Sequence, residues 1–326
     1  MVQQSKTNFS CWVITDGAAG NERQALALAR ALKVSPKILR LKLRAPWSWL
    51  APRAMMGDRL ALPQELRDSF TPPWPELAIG CGRQAAWLTR MLRKWSNNRT
   101  FTIQILDPRI STTYFDLVIT PQHDNLRGDN VITTLGSLNA VDDDWLAEGY
   151  KKFHTFTQFP RPRTTVLIGG SHRSQKLDSA YFTALINELT DIYNRDGGSF
   201  LVSISRRTPS NVTSFLREVF SQWPGYFYDG SGEKENPYPG FLAYADRLVV
   251  TPDSVNMLSE ACATGKPVWT YTPQSMRGKL AQFHTSLKEK GLLQSLPFTE
   301  VSWSSIPLRE TYSIAEKIGS YFSSRH

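Results

Sequence analysis

Few features of this sequence settle a function by motif alone. Three of its 326 residues are cysteines, Cys11, Cys81 and Cys262, far apart and odd in number. That argues against a disulfide framework, and no Cys/His cluster has zinc spacing. Cys11 and Cys81 sit in apolar, strand-like runs and Cys262 in a helical pattern, so all three are expected to be buried thiols of a reducing compartment. No apolar run approaches the ~20 residues that a membrane span needs. Residues 1–10 are polar and lack the apolar centre of a signal peptide. The expectation is a cytoplasmic protein, with peripheral contact at the inner face of the membrane left open. GxGxxG, RNP-type and zinc-finger motifs are missing, as are short-period repeats and low-complexity tracts.

What is present is basic. Lysine and arginine total 38 against 29 acidic residues, a net charge of +9. Such a chain attracts nucleotide phosphates, nucleic acid or an anionic membrane surface. The basic residues are spread along the chain and no recognition motif accompanies them, so nucleic acid is not expected. At roughly 100–200 residues per domain, the length suggests two domains.

Strand-like and helix-like patterns alternate. Residues 11–15, 38–43, 76–80, 101–106 and 116–120 read as strands, and 24–32 and 84–95 as helices. Residues 142–159, polar and then aromatic, lead into Pro160-Arg161-Pro162 and read as an inter-domain linker. The pattern then restarts, with strands at 165–168, 200–204, 247–251 and 267–271 and helices at 181–193, 212–222 and 255–263; a last helix covers 308–322. Alternation of this kind predicts α/β architecture with parallel, doubly wound sheets. The expected division is 1–158 and 159–326, with the C-terminal helix free to return to the first domain.

Open α/β sheets bind ligands beyond the carboxyl ends of their strands, so the loops after strands carry the candidates. The first is Thr15-Asp16-Gly17-Ala18-Ala19-Gly20-Asn21-Glu22, whose glycines and following helix N-terminus suit an anion. The same residues would also serve as an ordinary capped turn. The second is Ile168-Gly169-Gly170-Ser171-His172, where backbone amides can meet a phosphate; a simple turn is the plainer reading. The third is Ser205-Arg206-Arg207-Thr208-Pro209, suited to phosphate or carboxylate, or merely a solvated loop. The fourth runs from Leu248 through Thr251-Pro252-Asp253-Ser254 and Glu260 to Gly265-Lys266-Pro267. Asp253 or Ser254 can cap the helix there, and Gly265 can end it. Residues 228–240 read as a turn-rich loop. His123 and Asp124, after a strand, are a candidate acid/base pair or a loop pair. Trp47 and Trp49 among Lys42, Arg44 and Arg53 suit a membrane headgroup layer, or a core with solvated cations around it.

Taken together, the stretches from Val13 to Gln24, Ser205 to Pro209, Asn236-Pro237-Tyr238, and Val250 to Val268 resemble the bacterial family related to the plant "elongated mitochondria" proteins, which are linked to mitochondrial fission. The resemblance spans about residues 11–273. It implies a GT-B fold, two Rossmann-like domains facing across a cleft, similar to the lipid-linked N-acetylglucosaminyltransferase of peptidoglycan synthesis. In such enzymes a glutamate before a Gly-Lys-Pro turn binds the donor ribose, and Glu260 matches it. A Gly-Gly-Ser loop near the donor phosphates is matched by Gly169, Gly170 and Ser171. Their first glycine loop often carries a histidine; here Asn21 lies nearby instead, and Asp16 and Glu22 are the substitutes for the general base.

The resulting expectation is an inverting, metal-independent glycosyltransferase that takes a nucleotide-sugar as substrate, with no cofactor. Donor binding falls to Gly169, Gly170, Ser171, Ser205, Arg206, Arg207, Asp253, Ser254 and Glu260. Gly17, Gly20 and Asn21 form an acceptor or phosphate loop, and Asp16 and Glu22 are the catalytic candidates. The acceptor is lipid-linked or membrane-associated. Two alternatives stay open: a nucleotide-sugar epimerase on the same scaffold, and a non-catalytic adaptor for a protein partner or membrane.

Overall fold

A central parallel strand is covered on both faces and therefore reads as a continuous apolar run. β1 (Cys11–Thr15), CWVIT, is such a run, buried at every position. In the computed structural model, which describes residues 9–53, 58–67, 70–170, 177–231, 235–298, 303 and 306–323, it is followed by α1 (Ala19–Ala31), β2 (Pro36–Arg40), the short α2 (Trp47–Leu50) and α3 (Gln64–Arg67), β3 (Leu77–Cys81), α4 (Arg83–Trp95), β4 (Phe101–Ile105), β5 (Leu117–Pro121) and β6 (Val131–Thr134). These strands form one parallel six-stranded sheet in the order β2-β1-β3-β4-β5-β6.

The second set comprises α5 (Asp143–Lys152), β7 (Arg163–Ile168), α6 (Ser179–Asp196), β8 (Ser199–Ile204), α7 (Ser210–Phe220), β9 (Gly225–Tyr228), α8 (Tyr238–Tyr244), β10 (Arg247–Val250), α9 (Val255–Ala263), β11 (Val268–Thr270), α10 (Gly278–Glu289) and β12 (Gln294–Ser295). Its parallel six-stranded sheet has the order β12-β11-β10-β7-β8-β9. α11 (Glu310–Ser323) ends the chain. The fold class is thus α/β with two Rossmann-like sheets.

Two compact units result, 1–140 with 310–326, and 141–309. The break comes earlier than 158/159, and α11 rejoins the first unit. The stretch read as a linker is instead structured. Asp142 caps α5, its Oδ1 accepting from Trp145 N at 2.7 Å, and a 3-10 turn follows over His154–Gln158. α5 also packs on α8. A Cβ on Gly149 would lie 2.8 Å from the Pro239 carbonyl oxygen, so the close approach requires glycine there.

Each sheet has one place where neighbouring strands depart in opposite directions, and ligands bind at such switch points. In the first sheet it lies between β1 and β3, and in the second between β7 and β10. The Asp16–Glu22 segment follows β1; Gly169 and Gly170 follow β7; Thr251–Ser254 follow β10. Chain order has therefore brought the strongest loop candidates to the two switch points.

Candidate functional site

In the second unit the loops after β7, β8 and β10 are tied together by side chains. Gly169 N donates to Thr251 Oγ1 at 2.8 Å, and Gly170 N donates to Asp253 Oδ2 at 3.1 Å. Thr251 Oγ1 donates to Asp253 Oδ1 at 2.7 Å, and Arg207 Nη2 donates to Asp253 Oδ2 at 3.2 Å. Thr208 Oγ1 donates to the Gly169 carbonyl at 2.5 Å, and Arg207 N to Ser205 Oγ at 3.2 Å. Asp253 is buried, and loss of hydration raises its pKa above the ordinary carboxylate value against the opposing pull of Thr251 and Arg207. Arg206, the preceding residue of the same loop, is exposed. Ser171 and His172 lie outside the described residues.

Ser254 is the N-cap of α9, accepting from Met257 N at 3.3 Å, so the positive end of the helix points to the same edge of the sheet. Glu260 sits six residues further on, roughly 9 Å along the helix at 1.5 Å per residue. It is buried, and Tyr238 Oη donates to its Oε2 at 2.5 Å. Tyr238 opens α8, where Asn236 Oδ1 accepts its amide at 3.0 Å. Residues 228–240 are thus not loop alone: their end supplies the hydroxyl that fixes Glu260. Lys266, after α9, also turns inward, donating to the carbonyls of Leu242 (2.8 Å) and Ala243 at the end of α8. Burial pushes its pKa down to about 8.

A neighbouring cavity of about 290 Å³ is lined by the Thr272–Met276 segment and, from α10, by Ala281, His284, Thr285 and Lys288. His284 Nε2 lies 2.9 Å from the Pro252 carbonyl, which can only accept, so this nitrogen carries the ring proton. Its Nδ1 is buried and has no hydrogen-bond partner among the described residues. Burial lowers the His284 pKa to about 4. Sequence reading named Tyr238 and Thr251 within its motifs but gave them no role, and it passed over His284, which no motif marks.

In the first unit, α1 starts at Ala19, so Gly20, Asn21 and Glu22 belong to its first turn. Gly17, at φ +79°, makes the turn with no atom within 4 Å of a Cβ position. Asp16 Oδ1 accepts from Ala18 N at 3.0 Å and from Asn21 Nδ2 at 3.1 Å. Gly82, after β3, is glycine for the same cluster: a Cβ would stand 2.6 Å from Asn21 Nδ2. Asp16 and Asn21 therefore occupy the β1/β3 switch point. Glu22 is engaged otherwise. Arg40 grips both its oxygens, Nε at 2.8 Å and Nη2 at 2.7 Å, and this hydrogen-bonded ion pair holds its pKa below the ordinary value. His123 and Asp124 form a 3-10 turn after β5, and Thr120 Oγ1 donates to Asp124 Oδ2 at 3.0 Å.

All three cysteines are buried and free, as their runs implied. Among the described residues no group of His, Cys, Asp or Glu could hold a metal ion, and no helix is long and apolar enough to cross a membrane. Trp47 is half-buried against the first unit's core, whereas Trp49 is 75% exposed.

Solved structures share this fold. The UDP-GlcNAc 2-epimerase of Methanocaldococcus jannaschii gives a TM-score of 0.60 at 12% identity, covering 96% of this chain and 99% of that one. The same enzyme in complex with UDP-GlcNAc and UDP gives 0.53 at 9% identity, over 96% and 99%. The glycotransferase of kitacinnamycin gives 0.52 at 11%, over 96% and 94%. At such identities the likeness speaks for the fold, which is GT-B-like. Among relatives, the mitochondrial fission protein ELM1 of Arabidopsis thaliana is 30% identical over 279 residues, 77% of this chain. The match spans 65% of the plant protein, just under two thirds of its length. The uncharacterized protein RP120 of Rickettsia prowazekii (strain Madrid E) is 27% identical over 351 residues, 94% of each. The model of the family described as Mitochondrial fission ELM1 matches residues 19–322, and the chain belongs to that family.

Proposed function

We propose that the second unit binds a nucleotide-sugar and that the chain is an inverting, metal-independent glycosyltransferase. The observation that carries this reading is the β7/β10 switch point. There the arginines of the loop after β8 and the N-terminus of α9 lie at the carboxyl edge of a Rossmann-like sheet, and a buried, Tyr238-anchored Glu260 follows along the same helix. A carboxylate set well along α9 from the arginines suits the two ends of one nucleotide: hydroxyls of the ribose at Glu260, phosphates at Arg206 and Arg207. In transfer, the acceptor oxygen displaces the nucleoside diphosphate at the anomeric carbon. The arginines neutralise the departing phosphate, and Asp16 takes the acceptor proton. Calorimetric titration with UDP, GDP, CMP and ADP tests the reading. Binding by one of them, lost in Glu260→Ala, is expected; binding by none overturns it.

The fold of the epimerase crystallised with UDP-GlcNAc and UDP favours a second reading, epimerisation of the nucleotide-sugar itself. An epimerase turns over with no acceptor present, so product analysis without acceptor separates the two. If the chain is a non-catalytic adaptor, Glu260→Ala leaves its cellular function intact.

A lipid-linked or membrane-associated acceptor is supported by the first unit. Trp49, Leu50 and Leu60 are exposed near the exposed Lys42, Arg44 and Arg53. Arg83 donates to the carbonyls of Ser48 (3.0 Å), Trp49 (3.3 Å) and Ala51 (3.1 Å), which fixes this turn. An exposed tryptophan among cations is the make-up of a headgroup-layer contact. Co-sedimentation with anionic vesicles is expected and should weaken in Trp49→Ala and in high salt; no sedimentation with anionic lipid removes this support.

A further inference from the structure

A glycine pair after a Rossmann strand ordinarily leaves room for a phosphate against its amides. Here that room is filled. A Cβ on Gly169 would fall 2.1 and 2.2 Å from the two carboxylate oxygens of Asp253, and one on Gly170 would fall 2.6 Å from the Arg207 carbonyl oxygen. The glycines are required by the chain's own carboxylate and backbone. The Gly170 amide, the natural phosphate donor, is already given to Asp253 Oδ2 at 3.1 Å, and the Gly169 amide to Thr251 Oγ1 at 2.8 Å. Arg207 is drawn to the same carboxylate at 3.2 Å, and the Asp253 side chain has no exposed surface.

We infer that Asp253 is a specificity-determining residue: its carboxylate occupies the phosphate seat of the β7/β10 switch point, competes there with the ligand's phosphates, and makes the site recognise a nucleotide-sugar chiefly through its nucleoside and sugar. The consequence for the ligand rests on the nucleotide-sugar reading, whereas the competition itself does not. A second anion at the Gly170 amide would stand against a buried negative charge, and like charges in a poorly solvated place repel strongly. Arg207, shared with Asp253, neutralises incoming phosphate less well than a free guanidinium would. Adding a second phosphate to the ligand should therefore gain little affinity. Arg206, exposed on the same loop, is left as the main phosphate contact.

Pyrophosphate is the probe, because it needs no choice of base. In the full chain, Asp253→Asn removes the charge and keeps the size. It is expected to bind pyrophosphate tenfold or more tightly than the unaltered protein, with the native melting behaviour retained. An affinity that is unchanged or lower in the folded variant overturns the inference, since a purely structural tie would leave anion affinity where it was. Asp253→Ser, which keeps an acceptor for the Gly170 amide, serves if the asparagine variant does not fold. The unaltered protein gives an independent reading. Its Gly169 and Gly170 amide resonances should stay in place as pyrophosphate is added to millimolar levels, and a saturable shift of the Gly170 amide overturns the inference. Failure of the nucleotide-sugar reading would show separately, as no response to any nucleotide in the calorimetric panel.

Discussion

Asp16 and Glu22 lie six residues apart and differ in what their partners allow. A proton acceptor works best when its pKa approaches the working pH. Arg40 moves Glu22 the other way and takes both its oxygens, whereas Asp16 stands at the β1/β3 switch point. In a transfer assay, Asp16→Asn is expected to lower turnover by on the order of 10²–10⁴, the usual cost of a lost general base, and Glu22→Gln by less than about tenfold. Equal losses would shift the base away from Asp16. His284 gives a pH signature of its own. Its ordinary value of 6.5 falls to about 4 on burial, with Lys288 adding to the effect. Below pH 6.5 the unfolded chain binds a proton that the native ring refuses, so native stability drops as pH falls from 6.5 towards 4. The full swing is on the order of 3 kcal/mol at 1.36 kcal/mol per unit. Denaturant titrations between pH 6.5 and 4.5 should show a slope that His284→Gln reduces by about one proton; an unchanged slope removes His284 from the account.

At the scale of elements, α9 is the helix on which the site turns. Ser254 caps its N-terminus through a side-chain hydrogen bond, so Ser254→Ala should cost about 1 kcal/mol, read in thermal melts. Nucleotide affinity should fall with it, since the first turn frays where the ligand would dock. β1 and α9 were legible residue for residue, because an unbroken apolar run, and a helical pattern between a capping residue and Gly265, bound them; which of Asp253 and Ser254 caps α9 was left to the structure. α8 was not. Pro237, Pro239 and Gly240 look like turn residues, yet prolines are tolerated in a first helical turn, where amides lack partners anyway. Gly240 answers to packing, because a Cβ there would stand 2.6 Å from the Phe153 side chain. β9 and β12 escaped because they are short and only partly buried. For the site, sequence gave the loops that converge but not who holds whom. That Asp253 fills the glycine pair and that Tyr238 anchors Glu260 are tertiary facts joining residues 22 or more positions apart.

At the scale of the whole molecule, the chain builds two cores, and the first is closed by its last helix. Ile314, Ala315, Ile318 and Phe322 of α11 are buried with Val13, Leu28, Ile79 and Ile103. Phe322 lies 4.8 Å from the Phe9 ring and 5.0 Å from that of Phe101. Glu310 fastens the start of the helix, its carboxylate accepting from Leu135 N at 2.9 Å and Gly136 N at 3.1 Å. At ~1.5–3 kcal/mol per large buried side chain, removing α11 forfeits roughly 5 kcal/mol or more. A domain's whole stability is typically about 5–15 kcal/mol, so the loss is decisive for one unit and irrelevant to the other's core. Deletion of 310–326 should therefore speed amide exchange in β1, β3, β4 and β5 by orders of magnitude, while β7, β8 and β10 keep their protection. Glu310→Ala should do the same in milder form. Equal loss of protection in both sheets would mean that the two units share a single cooperative core, and that the first does not depend on its terminal helix alone.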